Sequence, residues 1–317
     1  MDTRKKEILN KIRPLIGLLI FSILIRILSP RFLTKSNLFN VFRQTSINAI
    51  IAAGMTFVIL TAGIDLSVGS ILGFSGAIAA SMLASGNNIF LALVVALIIG
   101  GLSGMLNGVI ITKGKVQPFI ATLAIMILLR GATMVFTNGR PIAVPAASVS
   151  PIFRWIGTGE LLGVPVPVVM MVFVFIICYY ILNHTQFGRH IYAVGGNEEA
   201  SLLSGVNTDK VKILAYTISG ILAAVAGIIV TSRLSSAQPT AGDGYELDAI
   251  AAVVLGGTSL VGGQGTVIGT IIGALIIGIL NNALNLMDVQ SYYQMIAKAI
   301  VILIAVLLDR KGKSKSK

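Results

Sequence analysis

Apolar runs, each about as long as a membrane crossing, recur along the chain and are separated by short polar or glycine-rich breaks. They cover residues 14–28, 47–60, 67–83, 89–111, 119–136, 164–182, 213–230, 247–261, 267–284 and 293–308. A hydrocarbon core of about 30 Å takes roughly 20 helical residues to cross, so the pattern predicts about ten transmembrane helices. The alternating apolar and polar positions of a membrane barrel strand are missing, as in the unbroken run 271–280. The expected fold is an all-α polytopic membrane protein.

Composition agrees with this pattern. Of 317 residues, 55% are hydrophobic and 11% charged, with a mean hydropathy of +0.91, whereas a soluble domain carries about 25% charged residues. A water-soluble enzyme is excluded. The first run follows Arg4, Lys5, Lys6, Lys11 and Arg13 as in a signal peptide, but no small-residue cleavage site comes after it, so it reads as a retained anchor helix. The chain then divides into a basic N-terminus, 1–13, a single transmembrane domain, 14–308, and a basic tail, 309–317.

An even number of crossings puts both termini on one side, and both are basic, which predicts that both are cytoplasmic. On that topology Lys113, Lys115, Arg189, Lys210 and Lys212 fall in inner loops, while Arg31, Lys35, Arg43, Arg140, Arg154 and Arg233 fall in outer ones. The net charge of +12 is then a matter of topology, and no nucleic-acid partner is expected. Arg26, Arg130 and Lys298 lie within or beside spans, where a long side chain usually snorkels to the interface. Two connections are too long for turns. Residues 137–163, with three prolines and Trp155, should form an outer cap; residues 183–212 should form short helices on the inner side and meet a soluble partner.

The second and third runs echo the eighth and ninth. At an offset of 200, Ala49, Ile50, Ala52, Leu60, Gly63, Gly69, Ile71 and Gly73 all recur, as Ala249 through Gly273, which points to an internal duplication. Each copy carries a polar or glycine-rich break, at 61–66 and 256–266. Non-helical backbone at membrane depth survives only inside protein or against a wet cavity, so Asp65, Ser67, Asp248, Thr258 and Gln264 are candidates for a translocation path or gate. Ordinary cytoplasmic turns are the other reading of the same breaks. Glycines at four-residue spacing, Gly100, Gly104 and Gly108 and again Gly265, Gly269 and Gly273, predict close helix packing.

Much chemistry is absent. Cys178 is the single cysteine, and His184 and His190 have no acidic or thiol neighbours at metal-site spacing, so neither a disulfide nor a metal is expected. The nearest string to a phosphate-binding loop, at 108–116, has the wrong spacing and no Ser or Thr after its lysine. No catalytic constellation appears, so the chain is not expected to be an enzyme. A path with few charges suits a neutral polar solute moved by energy from elsewhere.

The strings GIDLSVGS at 63–70, QPFIATL at 117–123, GGNE at 195–198, SSAQPTAG at 235–242 and YELDAIAAVVLGGTSL at 245–260 resemble the permeases of bacterial ATP-binding-cassette (ABC) sugar importers, the ribose/xylose/branched-chain amino acid permease family. The resemblance runs from near Leu28 to Asp309. It implies a permease subunit of the bacterial cytoplasmic membrane that translocates a sugar, D-ribose foremost, delivered by an extracytoplasmic binding protein. ATP and Mg²⁺ would be used by a separate ATPase subunit, so that this chain binds no cofactor, and a second copy of the permease would complete the assembly. Residues 199–205 match the importers' coupling pattern, with Ser201 in place of an alanine, and the resemblance assigns docking of the ATPase to Gly195, Gly196, Asn197, Glu198, Glu199, Ala200 and Gly205. The outer Arg31, Arg43, Arg140, Arg154 and Arg233 would then meet either acidic residues of the binding protein or membrane lipid headgroups. A competing class, a self-sufficient secondary carrier or channel for a small neutral solute, would carry several paired intramembrane charges.

Overall fold

The computed structural model describes residues 18–19, 22–27, 29–145 and 151–314, with backbone alone at 302 and 304–314. The basic stretch 1–13, part of the anchor run 14–28 and the end of the tail, 315–317, lie outside the described residues. Residues 18–19 and 22–27 are helical, and from Lys35 four helices follow: α1 (Lys35–Leu60), α2 (Val68–Ala84), α3 (Ile89–Thr112) and α4 (Pro118–Thr137). A cap follows, with strands β1 (Ile142–Ala143), β2 (Glu160–Leu161) and β3 (Val164–Pro165) around the helix α5 (Pro151–Thr158). After α6 (Val166–His184) come two short helices, α7 (Gln186–Gly196) and α8 (Glu198–Leu203), and the long α9 (Thr208–Leu234). Strand β4 (Ser236–Ala237) and helices α10 (Tyr245–Leu255), α11 (Val267–Leu286) and α12 (Ser291–Ser314) complete the order.

Side-chain caps fix where the helices begin. Thr34, Asn88, Asn207 and Thr266 accept the amides of Asn37, Phe90, Lys210 and Gly269 in α1, α3, α9 and α11, satisfying donors that a helix start leaves free. The strands are two-residue pairs, β1 antiparallel to β4 and β2 antiparallel to β3. The β1–β4 pair ties the cap to the segment that leaves α9.

Six described helices, α1, α3, α4, α6, α9 and α11, are long and apolar enough to cross a membrane, and the fold is all-α and polytopic. At the expected crossing 247–261 the structure departs from a full-length helix. Helix α10 stops at Leu255 after 11 residues, about 16 Å at 1.5 Å per residue, or half a bilayer. Leu260 and Val261 prolong the apolar run in sequence, yet they belong to the turn that follows, and hydropathy does not separate the two cases. Helix α2, at 17 residues, is also shorter than the other spans. Helix α12 contains the expected run 293–308 and continues through Ser314, into what the sequence reads as tail.

Burial orders the bundle. In α1, 83% of the most apolar window is buried, against 22% in α3 and 28% in α4, so α1 is the core and α3 and α4 form its outer wall. Helix α9 packs on α1, α2 and α3. The stripe Gly100, Gly104 and Gly108 lies against Gly220, Tyr216 and Ile213 of α9, so closely that any Cβ would strike the facing helix. Gly269 and Gly273 of α11 rest in the same way on the carbonyls of Gly256 and Ala252, while their equivalents at offset 200, Gly69 and Gly73, rest on those of Gly242 and Ala241. Equivalent glycines thus serve equivalent close contacts on different partners.

Two residues expected to snorkel do not. The Arg130 guanidinium donates to the carbonyls of Ala241 at 2.8 Å and Pro239 at 3.3 Å, and Lys298 pairs with Asp248 at 3.0 Å. Arg130 holds the non-helical segment 235–244, which runs inward from the end of α9 to α10.

Gly220→Val should lower the unfolding free energy in detergent by about 1–3 kcal/mol through overpacking against α3. Gly131→Val, at a position with no described residue within 4 Å of an added Cβ, should stay within about 0.5 kcal/mol in the same thermal-unfolding assay.

Candidate functional site

At the end of the bundle that carries α7 and α8, hereafter the loop end, the two short helices form a compact knob. Asn197 ends α7 and starts α8, its side chain accepting the Ala200 amide at 2.9 Å. Gly205, at φ 83°, closes α8 with the paired bonds from the Gly205 amide to Leu202 and from the Val206 amide to Ser201, each 3.0 Å, a left-handed turn that glycine adopts without strain. Leu202 and Leu203 are 61% and 90% exposed and stand out from the knob. Glu199 and Ala200 are also exposed. Glu198 is held by Lys212, whose ammonium lies 2.6 Å from both carboxylate oxygens.

The base of the knob touches both predicted breaks. Gly195 presses its Cα directly onto the Leu60 carbonyl, and that carbonyl accepts the Gly263 amide at 3.0 Å. Gly262 lies against Ala62 and the Gly195 carbonyl, and the Tyr192 hydroxyl donates to the Gly265 carbonyl at 3.0 Å. Segments 61–66, 256–266 and 192–196 therefore meet backbone to backbone. Beside this junction is a cavity of about 310 Å³ lined by Thr61, Gly63, Asn197, Glu198, Lys212 and Tyr216, among others.

The two breaks differ in kind. Break 61–66 is inset into protein: Asp65, Ser67, Asn107 and Ser219 are all 0% exposed. Asp65 accepts the Ser67 amide at 3.0 Å, the Ser67 hydroxyl at 2.6 Å and the Ser219 hydroxyl at 2.9 Å, while the Asn107 amide bonds Ser67 at 2.7 Å. The carbonyl of Ile64 takes Tyr216 at 3.2 Å and Thr122 at 3.3 Å. This knot binds the break to α3, α4 and α9. Break 256–266 lies at the surface of the loop end, with Gln264 exposed and Val261 76% exposed. Thr258 is buried, 1% exposed, and its hydroxyl has no partner among the described residues.

Asp248 is some distance away, in the first turn of α10. It is 4% exposed, and one oxygen accepts Lys298 at 3.0 Å and the amides of Asn48 and Asn281 at 3.3 Å each. Asn48 and Asp248 are partners across the offset of 200. The five candidate residues for a path thus fall into three places: the inset knot with Asp65 and Ser67, the loop-end turn with Thr258 and Gln264, and the Asp248 cluster.

The opposite, cap end gathers the arginines. Arg31, Arg140 and Arg154 are exposed and Arg233 is half-buried, while Arg43 is paired with Glu160 at 3.0 Å. Arg154 and Trp155 line a cleft of about 550 Å³ that reaches Ser235. Helix α5 is pinned to the end of α9 by the bond from the Ser232 hydroxyl to the Phe153 carbonyl.

Sequence reasoning missed Asn48, Asn107, Ser219 and Asn281. Each is a single polar residue inside an apolar run, which is the available signal: in a span such a residue needs a partner, and the partner is across the bundle.

Asp65→Ala strands the donors of Ser67 and Ser219 inside the bundle and should cost about 3 kcal/mol or more of unfolding free energy. Gln264→Ala, at the exposed turn, should change the same measurement by less than about 0.5 kcal/mol.

Comparison with known proteins agrees with this architecture. The family description "Branched-chain amino acid transport system / permease component" matches residues 37–306. The ribose import permease protein of Haemophilus influenzae is 61% identical, over 94% of this chain and 92% of its own length. That of Bacillus subtilis is 56% identical over 98% of both chains, and the D-allose transport system permease of Escherichia coli is 39% identical over 89% of this chain and 86% of its own. No solved structure matches the chain. With a family match across most of its length and relatives above half identity, the chain belongs to the permease components of the branched-chain amino acid transport family: it is a membrane transport subunit and not an enzyme.

Proposed function

We propose that the chain is the membrane-spanning permease of an ABC importer for a neutral sugar, D-ribose in the first place. In this reading it crosses the bacterial cytoplasmic membrane ten times, with both termini and the loop end in the cytoplasm. A second copy of the chain, an ATPase subunit that uses ATP and Mg²⁺, and an extracytoplasmic binding protein complete the machine. The basic loop-end residues Lys113, Lys115, Lys210 and Lys212 support that sidedness. Relatives named as ribose import permeases support the cargo.

One observation carries the coupling: Gly195 is packed on the Leu60 carbonyl, which itself binds the Gly263 amide. A knob docked in the ATPase through Glu199, Ala200, Leu202 and Leu203 would pass any displacement through Gly195 to both breaks at once. With no side chain between these backbones, little of the motion is lost. The Asp65 knot fixes the first break to α3, α4 and α9, so that motion would be taken up as movement of helices and not as local unfolding. Thr258 and Gln264 are then the gate residues that move, and Asp65 and Ser67 the anchor against which they move. A self-powered carrier would have to work through the Asp248–Lys298 pair.

Uptake of labelled D-ribose into proteoliposomes tests the reading: it should require the ATPase, the binding protein and ATP together, and uptake with the permease alone would refute it. Gly205→Leu and Glu199→Lys should each lower sugar taken up per ATP hydrolysed by about tenfold, the effect of roughly 1.4 kcal/mol at the dock. Arg31→Glu, Arg140→Glu and Arg154→Glu should raise the binding-protein concentration that half-saturates stimulated ATP hydrolysis, most strongly at low salt. Unchanged values at every salt concentration would assign these arginines to lipid headgroups.

A further inference from the structure

Midway along the bundle the chain buries charge that neither capping nor helix packing requires. Asn48 stands near the centre of the 26-residue α1, roughly 20 Å from either end, and it meets Asp248, Asn281 and, through Asp248, Lys298. Ionised groups at this depth are costly and mark function. Asp248 also sits in the first turn of α10, a half-length helix whose positive N-terminal end favours a carboxylate. The non-helical segment 235–244 leads from the cap end to that helix start. Transport proteins build substrate sites at such interrupted helices near mid-depth.

Two acceptors in the cluster are unmet. The side-chain carbonyl oxygens of Asn48 and Asn281 are buried with no hydrogen-bond partner among the described residues, although their amide groups donate to Asp248. Such oxygens lose solvation without return and call for an external donor. The Lys298 side chain is 28% exposed, so the cluster is open on that side. Its charges cancel: an anion would face Asp248 and a cation Lys298, whereas a hydroxyl group gives its proton to an amide oxygen and accepts one from the ammonium.

We infer that Asn48, Asp248, Asn281 and Lys298 form a transient binding site for the hydroxyl groups of a neutral sugar in passage. The site rests on the import reading above and adds to it the place where cargo touches the permease. Two amide oxygens and one shared ammonium make a weak site, as conduction demands, since a solute must leave as readily as it enters.

The test uses saturation-transfer NMR on the permease with its ATPase in lipid nanodiscs, without the binding protein, so that only the permease presents sugar contacts in the membrane. D-Ribose should receive saturation from the wild type, and D-ribose 5-phosphate should not. In Asn48→Leu/Asn281→Leu, which removes both unmet oxygens at nearly constant volume, transfer to D-ribose per folded molecule should fall about tenfold. Asn281→Leu alone is read the same way if the double variant does not fold. Equal transfer per folded molecule in variant and wild type would overturn the site and reduce the cluster to a helix clamp, as would equal transfer to the phosphate ester. ATP-driven D-ribose uptake by the complete wild-type importer is measured alongside. No uptake with transfer intact would refute the import reading and keep the site; uptake with transfer unaltered in the variants would do the reverse.

Discussion

Lipid offers no hydrogen bonds, so every amide and carbonyl that leaves a helix inside the bilayer has to find its partner in the protein. Much of this structure answers to that constraint. The inset break at 61–66 exists because Tyr216 and Thr122 take the Ile64 carbonyl and Asp65 takes the Ser67 amide. Segment 235–244 exists because Arg130 supplies donors to Pro239 and Ala241 and because Gly69 lets the backbone at Gly242 come close. Remove these side chains and the broken segments have no reason to stay where they are. Tyr216, Thr122, Asp65 and Arg130 are therefore first of all the partners of interrupted backbone, and their arrangement decides where interruption is allowed.

That division explains what could be read from the chain alone. Hydropathy located the long helices, since a run such as 89–111 has one physical outcome in a membrane, and the glycine stripe at Gly100, Gly104 and Gly108 announced its close contact by spacing. The knob at 186–203 was legible for a different reason: a connection as long and as polar as 183–212 has to fold outside the bilayer, and short helices are what it forms. Depth was not legible. The run 247–261 looks the same whether a helix crosses the whole membrane there or begins halfway through it, and Gly256 and Gly257 could have been a kink or an end. Nor was pairing legible: Arg130 and Lys298 read as snorkelling cations because their partners, the Ala241 carbonyl and Asp248, are distant in sequence and ordinary in type.

The candidate site divides along the same line. Residues of the coupling segment form one contiguous strip of chain, and local sequence describes them well. The residues around Asp65 come from the break and three helices, and those around Asp248 from four, and only the fold brings them together. Asp65 and Asp248 look alike in the sequence, two lone acids in apolar surroundings. Folding gives one of them uncharged donors on every side and no exposure, and gives the other a lysine and an opening.

The apolar tip of the knob has a bearing on how the subunit survives before it is assembled. Leu202 and Leu203 project from a six-residue helix with little beneath them, and on the proposed topology they face the cytosol. A newly inserted permease without its ATPase displays there the kind of greasy, solvent-exposed turn by which chaperones and proteases recognise unfinished protein. Docking would hide it. The same two leucines would then act as a timer on subunit stoichiometry, sparing permeases that have been claimed by an ATPase and condemning those made in excess.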